Sequence, residues 1–122
     1  MKRTTMKDNV NHPSHYAEDV YIKAECIMFT RHLDFDTGNA FKYVWRAGKK
    51  DDIVQDLRKA IWYLNDSLNT EFLGLRMYAQ FLIPFVPTCG LPDWKVEILK
   101  LLLKGETKLA IKKIRRILKR AH

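Results

Sequence analysis

Cysteine is nearly missing. Cys26 and Cys89 are the only two in 122 residues. They lie too far apart to form a disulfide framework or a zinc site, and free thiols in a reducing compartment are the simpler reading. An apolar leader is also lacking. The chain opens on MKRTTMKDNVNH, a polar run that argues against secretion and for a cytoplasmic protein. No bilayer-length hydrophobic run exists. The very apolar stretch EFLGLRMYAQFLIPFV over 71–86 is shorter than a membrane span and contains Arg76 and Gln80, so no transmembrane segment is expected. Strand-type alternation and internal repeats do not stand out. The sequence holds no G-x-x-x-x-G-K-[ST], G-x-G-x-x-G, C-x-x-C, H-E-x-x-H or G-x-S-x-G. A P-loop phosphate cradle, a dinucleotide fingerprint, a zincin site and a nucleophile elbow are thereby excluded.

What is present points to one small all-α domain over 1–122, with about five helices and an extended N-terminal loop that carries histidines. The chain is long enough to bury a core unaided. Its 47% hydrophobic and 30% charged residues are ordinary for a globule. Charge is unevenly spread. Residues 106–122 hold seven Lys/Arg against one Glu, whereas 1–105 hold fifteen against thirteen. The basic excess therefore belongs to the C-terminal helix and not to the whole surface.

Residues 1–10 read as a flexible leader. Asn11-His12-Pro13-Ser14-His15-Tyr16 follows, and Pro13 keeps this segment out of helix interior. Its imidazoles serve either as caps in a packed loop or as phosphate contacts and proton donors, since histidine titrates near neutrality. A helix is predicted from about Val20 to Leu33, with Val20, Ala24, Ile27 and Met28 on its core stripe and Glu25 and Cys26 inside it. Cys26 reads as a small core filler. Asp36 or Thr37 is the expected N-cap of the next helix. That places Gly38-Asn39 in its first turn, where free N–H groups could meet an anion.

The stretch Gly38 to Leu64 reads as two helices joined by a tight basic turn. Asn39, Lys42, Tyr43 and Arg46 share one face at i, i+3, i+4 and i+7, with Phe41, Val44 and Trp45 opposite. Gly48-Lys49-Lys50-Asp51 forms the turn. Asp51 or Asp52 caps the second helix, with Asp52 and Gln55 spaced as a capping box. Ile53, Leu57, Ala60, Ile61 and Leu64 make its apolar stripe, and Asp56, Lys59 and Tyr63 run beside it. Lys42, Arg46, Lys49, Lys50 and Lys59 are close enough in sequence to converge, although a solvated charged face has the same pattern.

Beyond it, 71–86 reads as a helix ending before Pro84 and buried nearly all round, part core and part subunit interface, which implies a homo-oligomer. Pro84, Pro87, Gly90 and Pro92 mark an irregular link. A helix from Pro92 to about Leu103 ends at Gly105. The last runs from about Thr107 to Ala121. Ala110, Ile114, Ile117 and Ala121 form its apolar stripe. Lys108, Lys112, Lys113, Arg115, Arg116, Lys119 and Arg120 cover the rest, as either a solvated face or a contact for nucleic acid or another acidic partner.

Helical pyrophosphohydrolases of the MazG type present E-x-x-E/D pairs to magnesium. Here Asp52 and Asp56 are spaced i, i+4 with no E-x-x-E before them, which argues against that chemistry. A different likeness is carried by four blocks in order: N-H-P-x-H-Y (Asn11 to Tyr16), E-C-I (Glu25 to Ile27), G-N-x-x-K-Y-x-W-R-x-G-K-K (Gly38 to Lys50) and D-L-x-K-A-x-x-Y-L (Asp56 to Leu64). Together they resemble a small phage-borne family of unknown function, also called SaV-like, which includes a podoviral deoxynucleoside monophosphate kinase. Met28 departs from it, standing where that family often has an acid. The resemblance covers 11–64 and leaves 65–122 aside.

The resemblance implies a nucleotide kinase without a P-loop, using ATP or another nucleoside triphosphate as phosphate donor, at work in the host cell cytoplasm if phage-encoded. It assigns His12, His15 and Arg46 to the chemistry. Asn11, Tyr16, Asn39, Lys42, Tyr43, Lys49 and Lys50 would bind substrate. Magnesium is left open, with Asp56 and Glu25 the nearby carboxylates. The alternatives are a non-catalytic nucleotide-sequestering protein and a host-interaction protein acting through the basic C-terminal helix.

Overall fold

Asp34 starts the organising element. Its backbone is extended and its carboxylate accepts the Thr37 N–H at 3.1 Å, so the helix begins at Phe35. An acid at that position satisfies one orphan donor and faces the positive end of the helix dipole. The computed structural model describes residues 25–49, 52–69 and 77–121. Every regular element among them is helical: α1 (Cys26–Thr30), α2 (Phe35–Arg46), α3 (Ile53–Leu68), α4 (Met77–Phe81), a 3-10 helix (Ile83–Cys89), α5 (Asp93–Lys104) and α6 (Thr107–Ala121). The leader, the loop from Asn11 to Tyr16, Lys50 and residues 71–76 lie outside the described residues.

The fold is two helical hairpins face to face. α2 and α3 make the most extensive contact in the molecule, α5 and α6 pair with one another, and the hairpins meet through α2 on α5 and α3 on α6. Glycine closes each turn. Gly48 and Gly105 have φ of 80° and 81°, a left-handed conformation that costs other residues steric strain. After α5, the Gly105 N–H bonds Leu102 O at 3.2 Å and the Glu106 N–H bonds Leu101 O at 2.9 Å, the paired bonds of a Schellman stop.

Between the hairpins lie Phe41 and Val44 of α2, Leu57 and Leu64 of α3, Ile98, Leu99, Leu102 and Leu103 of α5, and Ile114 of α6, all buried. Each such side chain contributes about 1.5–3 kcal/mol relative to exposure. The stripe expected on α3 is the one observed; on α6, Ala110 and Ile114 are buried and Ile117 half-buried, but Ala121 is exposed, so that stripe ends a turn early. Asp52 caps α3 by accepting the Val54 N–H at 3.2 Å.

Three expectations are corrected. The helix expected over Val20–Leu33 starts, within the described residues, only at Cys26. Glu25 stands before it in extended backbone, with its N–H on Met28 Sδ at 3.4 Å. Its phase also differs, because Ile27 and Met28 are half exposed and Phe29 is the buried residue. Phe29 stacks on Phe41 at 5.4 Å and lies against Trp45 at 5.8 Å; that aromatic contact sets which side of α1 faces inward.

Second, α2 begins at Phe35 and not after Asp36 or Thr37. Gly38 and Asn39 therefore sit past the first turn, and the Gly38 N–H is spent on Asp34 O at 2.8 Å.

Third, the apolar stretch is not buried all round. Ala79 and Val86 are buried, but Tyr78, Phe81 and Phe85 are 65%, 72% and 54% exposed. The expected irregular link is largely 3-10 helix. Pro84 sits in its first turn, where no N–H is needed.

Candidate functional site

The α2–α3 hairpin turns one face away from the core, and three cations gather there on a single ring. Lys42 Nζ lies 4.7 Å, Lys59 Nζ 5.4 Å and the Arg46 guanidinium carbon 5.8 Å from the Tyr43 ring centroid. Lys42 and Arg46 reach it as the i−1 and i+3 neighbours of Tyr43 on α2. Lys59 arrives from α3 because that helix packs alongside. The electron-rich ring face attracts all three cations and lets them share a small volume despite mutual repulsion.

Behind Tyr43 the rings continue. Tyr63 of α3 stacks on Tyr43 at 6.0 Å with 15° between planes. Tyr63 also meets Phe35 edge-on at 6.0 Å and Trp62 edge-on at 5.2 Å. Phe35 is 76% and Trp62 63% exposed, an unusual use of large apolar rings unless something covers them.

A shallow groove of about 400 Å³ opens beside this ladder, between α1 and the start of α2. Phe35, Gly38, Asn39 and Lys42 line one side and Cys26, Ile27 and Thr30 the other. Its size falls in the range of small-ligand clefts. Phe35 and Lys42 belong to both groove and ladder, so the two form one continuous surface. Gly38 leaves the groove floor low. A Cβ there would stand 3.6 Å from Thr30 O, ordinary contact that would fill space without strain.

The residues singled out in the sequence divide accordingly. Lys42, Tyr43 and Arg46 come together, joined by Lys59. Asn39 lines the groove, and its amide Nδ2 donates to Phe35 O at 2.9 Å. Lys49 is exposed at the turn. His12, His15, Asn11, Tyr16 and Lys50 lie outside the described residues. Cys26 lines the groove as an inert thiol, because burial pushes its pKa up to about 12 against the lowering pull of Lys42.

The two carboxylates weighed for magnesium sit differently. Glu25 precedes α1. Asp56 is fully buried, and its two oxygens have no hydrogen-bond partner among the described residues. Its electrostatic counterpart is Lys95 of α5, itself only 3% exposed, whose Nζ donates to Trp45 O at 2.7 Å. That carbonyl belongs to the last turn of α2, where no helical N–H follows to take it. Lys95 thus fastens the end of the site-bearing helix to the second hairpin. Burial and the nearby Lys49 lower its pKa to about 8, with Asp56 pulling the other way. Among the described residues no group of three or more His, Cys, Asp or Glu could hold a metal ion.

Phe35, Trp62 and Lys95 had no functional reading in the sequence. A tryptophan off the apolar stripe of an amphipathic helix is the signal that would have singled out Trp62. Phe35 was hidden by the misplaced N-cap. Nothing local marks Lys95, whose partner is fifty residues away.

This face lies within the part of the chain that has known relatives. Residues 10–65 match the model of a family described as proteins of unknown function (DUF3310). The chain is also similar to the Gene 1.7 protein of Enterobacteria phage T3, with 33% identity over 69 residues, 50% of this chain and 42% of that protein. The chain thus spans less than half the length of that relative. No solved structure matches. The likeness to a phage protein family of unknown function agrees with the motifs from Asn11 to Leu64, and neither description names an activity. No helix among the described residues is long and apolar enough to cross a membrane.

Proposed function

We propose that the outer face of the α2–α3 hairpin holds a nucleotide, and that the protein is a phage-type nucleotide kinase that phosphorylates a (deoxy)nucleoside monophosphate without a P-loop. One observation carries the reading: Lys42, Lys59 and Arg46 converge on Tyr43 at the end of an exposed aromatic ladder. A nucleotide is anionic at one end and a flat π-system at the other. The cations suit its phosphates and Phe35 or Trp62 suits its base. The kinase step itself is carried over from the motif resemblance.

In that step an oxygen of the acceptor phosphate attacks the γ-phosphorus of ATP or another nucleoside triphosphate. The bond from the γ-phosphorus to the β–γ bridging oxygen breaks, and the nucleoside diphosphate leaves with that electron pair. Such a transfer needs positioning and charge neutralisation more than covalent help. Arg46 would fork two phosphate oxygens, while Lys42 and Lys59 would act as point charges. His12 and His15 would donate hydrogen bonds to the transferred group.

The test is incubation of the pure protein with ATP and each deoxynucleoside monophosphate. A diphosphate product should form, and Arg46→Ala should lower its rate at least about 100-fold, the usual loss when a transition-state charge contact is removed. A nucleotide-dependent rise in melting temperature without any diphosphate would instead select the sequestering protein. Neither effect would overturn both.

A further inference from the structure

Outside the hairpin, the largest feature that this function does not use is the solvent face of α6. Its inward side is fully occupied. Ala110, Ile111 and Ile114 are buried, and Ile117 and Leu118 pack on the same core. Outward stand Lys108, Lys112, Arg115, Arg116, Lys119 and Arg120, all exposed. Among the described residues only Lys113 finds an acid, Glu97 Oε2 at 3.3 Å. Four like-charge pairs fall at i, i+4: 108 with 112, 112 with 116, 115 with 119 and 116 with 120. Each such pair costs a helix about 0.2–0.5 kcal/mol. A face shaped only for solubility would intersperse acids; this one has none from Thr107 onward.

We propose that α6 is a docking rail for double-stranded nucleic acid, gripping the phosphates of one strand. Lys108, Lys112, Arg115 and Lys119 run along a single line of the helix. From first to last the rail spans about 16 Å at ~1.5 Å per residue. A duplex of that length presents about five phosphates per strand at ~3.4 Å of axis each, one more than the four cations of the rail, so about four can be engaged. The face carries no aromatic ring, which removes the stacking platform that single strands use. Insertion into a lipid interface would need the apolar side of α6, and that side is already in the core. The contact reads charge and not bases, so binding is independent of sequence.

The 122-residue chain, titrated into a fluorescein-labelled 20-base-pair duplex and followed by anisotropy, tests this. With about four phosphates engaged, log Kobs should fall with log salt at a slope near −4, or about a 100-fold loss between 50 and 200 mM. The variant Lys112→Gln/Arg115→Gln/Arg116→Gln/Lys119→Gln lies on exposed positions and should keep the wild-type circular dichroism. It should lose at least tenfold in duplex affinity, while Arg46→Ala stays within twofold of wild type. The proposal is overturned by any of four results: no duplex binding at 50 mM salt, an unaffected quadruple variant, equal loss in Arg46→Ala, or tighter binding to single strands or to phosphatidylserine vesicles than to duplex. These readouts need no nucleotide turnover and stand whether or not the kinase reading does.

Discussion

The described residues form two basic surfaces, and they differ in what surrounds the charge. On α6 the cations project separately into water from a helix whose other side is sealed. On the α2–α3 hairpin, two helices bring Lys42, Lys59 and Arg46 to one tyrosine ring, with a groove alongside. The first arrangement recognises a repeating line of charge. The second is suited to a single compact anion with a flat group attached. Positive charge alone does not separate them; the ring does, by fixing where three flexible side chains end.

Removing that ring should erase the difference. In Tyr43→Leu the three cations lose contacts of about 0.5–1 kcal/mol each, so nucleotide affinity measured by calorimetry should fall roughly 10- to 100-fold. Duplex binding through α6 should not change. If Tyr43→Leu binds nucleotide as the wild type does, the hairpin cations are only another solvated face and the contrast disappears.

A second difference lies beneath the surfaces. α6 is held by apolar packing, whereas the end of α2 is held by a buried ammonium. Lys95 has a pKa lowered to about 8 from 10.5, first by burial. The unfolded chain then holds that proton more firmly between pH 8 and 10.5. The group's penalty is full below about pH 8 and is relieved as pH rises toward 10.5, by up to roughly 3 kcal/mol. In Lys95→Met this relief is absent, although the bond to Trp45 O, worth about 1 kcal/mol, is lost at every pH. Subtracting the variant's urea unfolding free energies from those of the wild type should give a difference that rises from pH 8 to 10.5. A flat difference would show that Lys95 is ordinarily solvated.

How far these features were legible before the fold was known depends on the range of the interaction. Periodicity located α3 and α6 and most of their buried stripes, because the 3.6-residue repeat is local, whereas Pro92 and Gly105 marked the bounds of α5. It also placed Lys42, Tyr43 and Arg46 on one face and brought Lys59 within reach. Glycine punctuation gave both turns. The start of α2 was misjudged by two to three residues because Asp34 and Asp36 are both good caps; only the packing of Phe29 on Phe41 and Trp45 selects the first. The contacts of Asp56 and Lys95 were illegible for a related reason. Their helices are adjacent in space and far apart in sequence, and a charged residue on a helix flank looks solvated until a neighbour covers it. The aromatic ladder needed both helices at once.

The smallest effect concerns the acidic corner at the groove end of the hairpin. Asp36 follows Phe35, and its pKa is raised from 3.8 to about 6, first by burial, then by a side-chain hydrogen bond and Coulomb repulsion from Asp66, with Asp34 adding. A carboxyl whose folded pKa is raised stabilises the fold fully below about pH 4 and loses that contribution as pH climbs through 6. Asp66 also sits in the last turn of α3, where negative charge opposes the helix dipole. Asp66→Asn keeps a hydrogen-bonding group, removes the repulsion and relieves the dipole. It should raise the melting temperature at pH 7 by a degree or two, a gain of under about 1 kcal/mol for a half-buried pair still in reach of solvent, and the part that comes from repulsion should vanish near pH 4, where Asp36 is protonated. On α6 like charges are spread along a rail, and neutralising one of them should give no such pH step. If Asp66→Asn stabilises equally at pH 4 and 7, the two carboxyls do not share a proton, and the hairpin crowds its charges no more than α6 does.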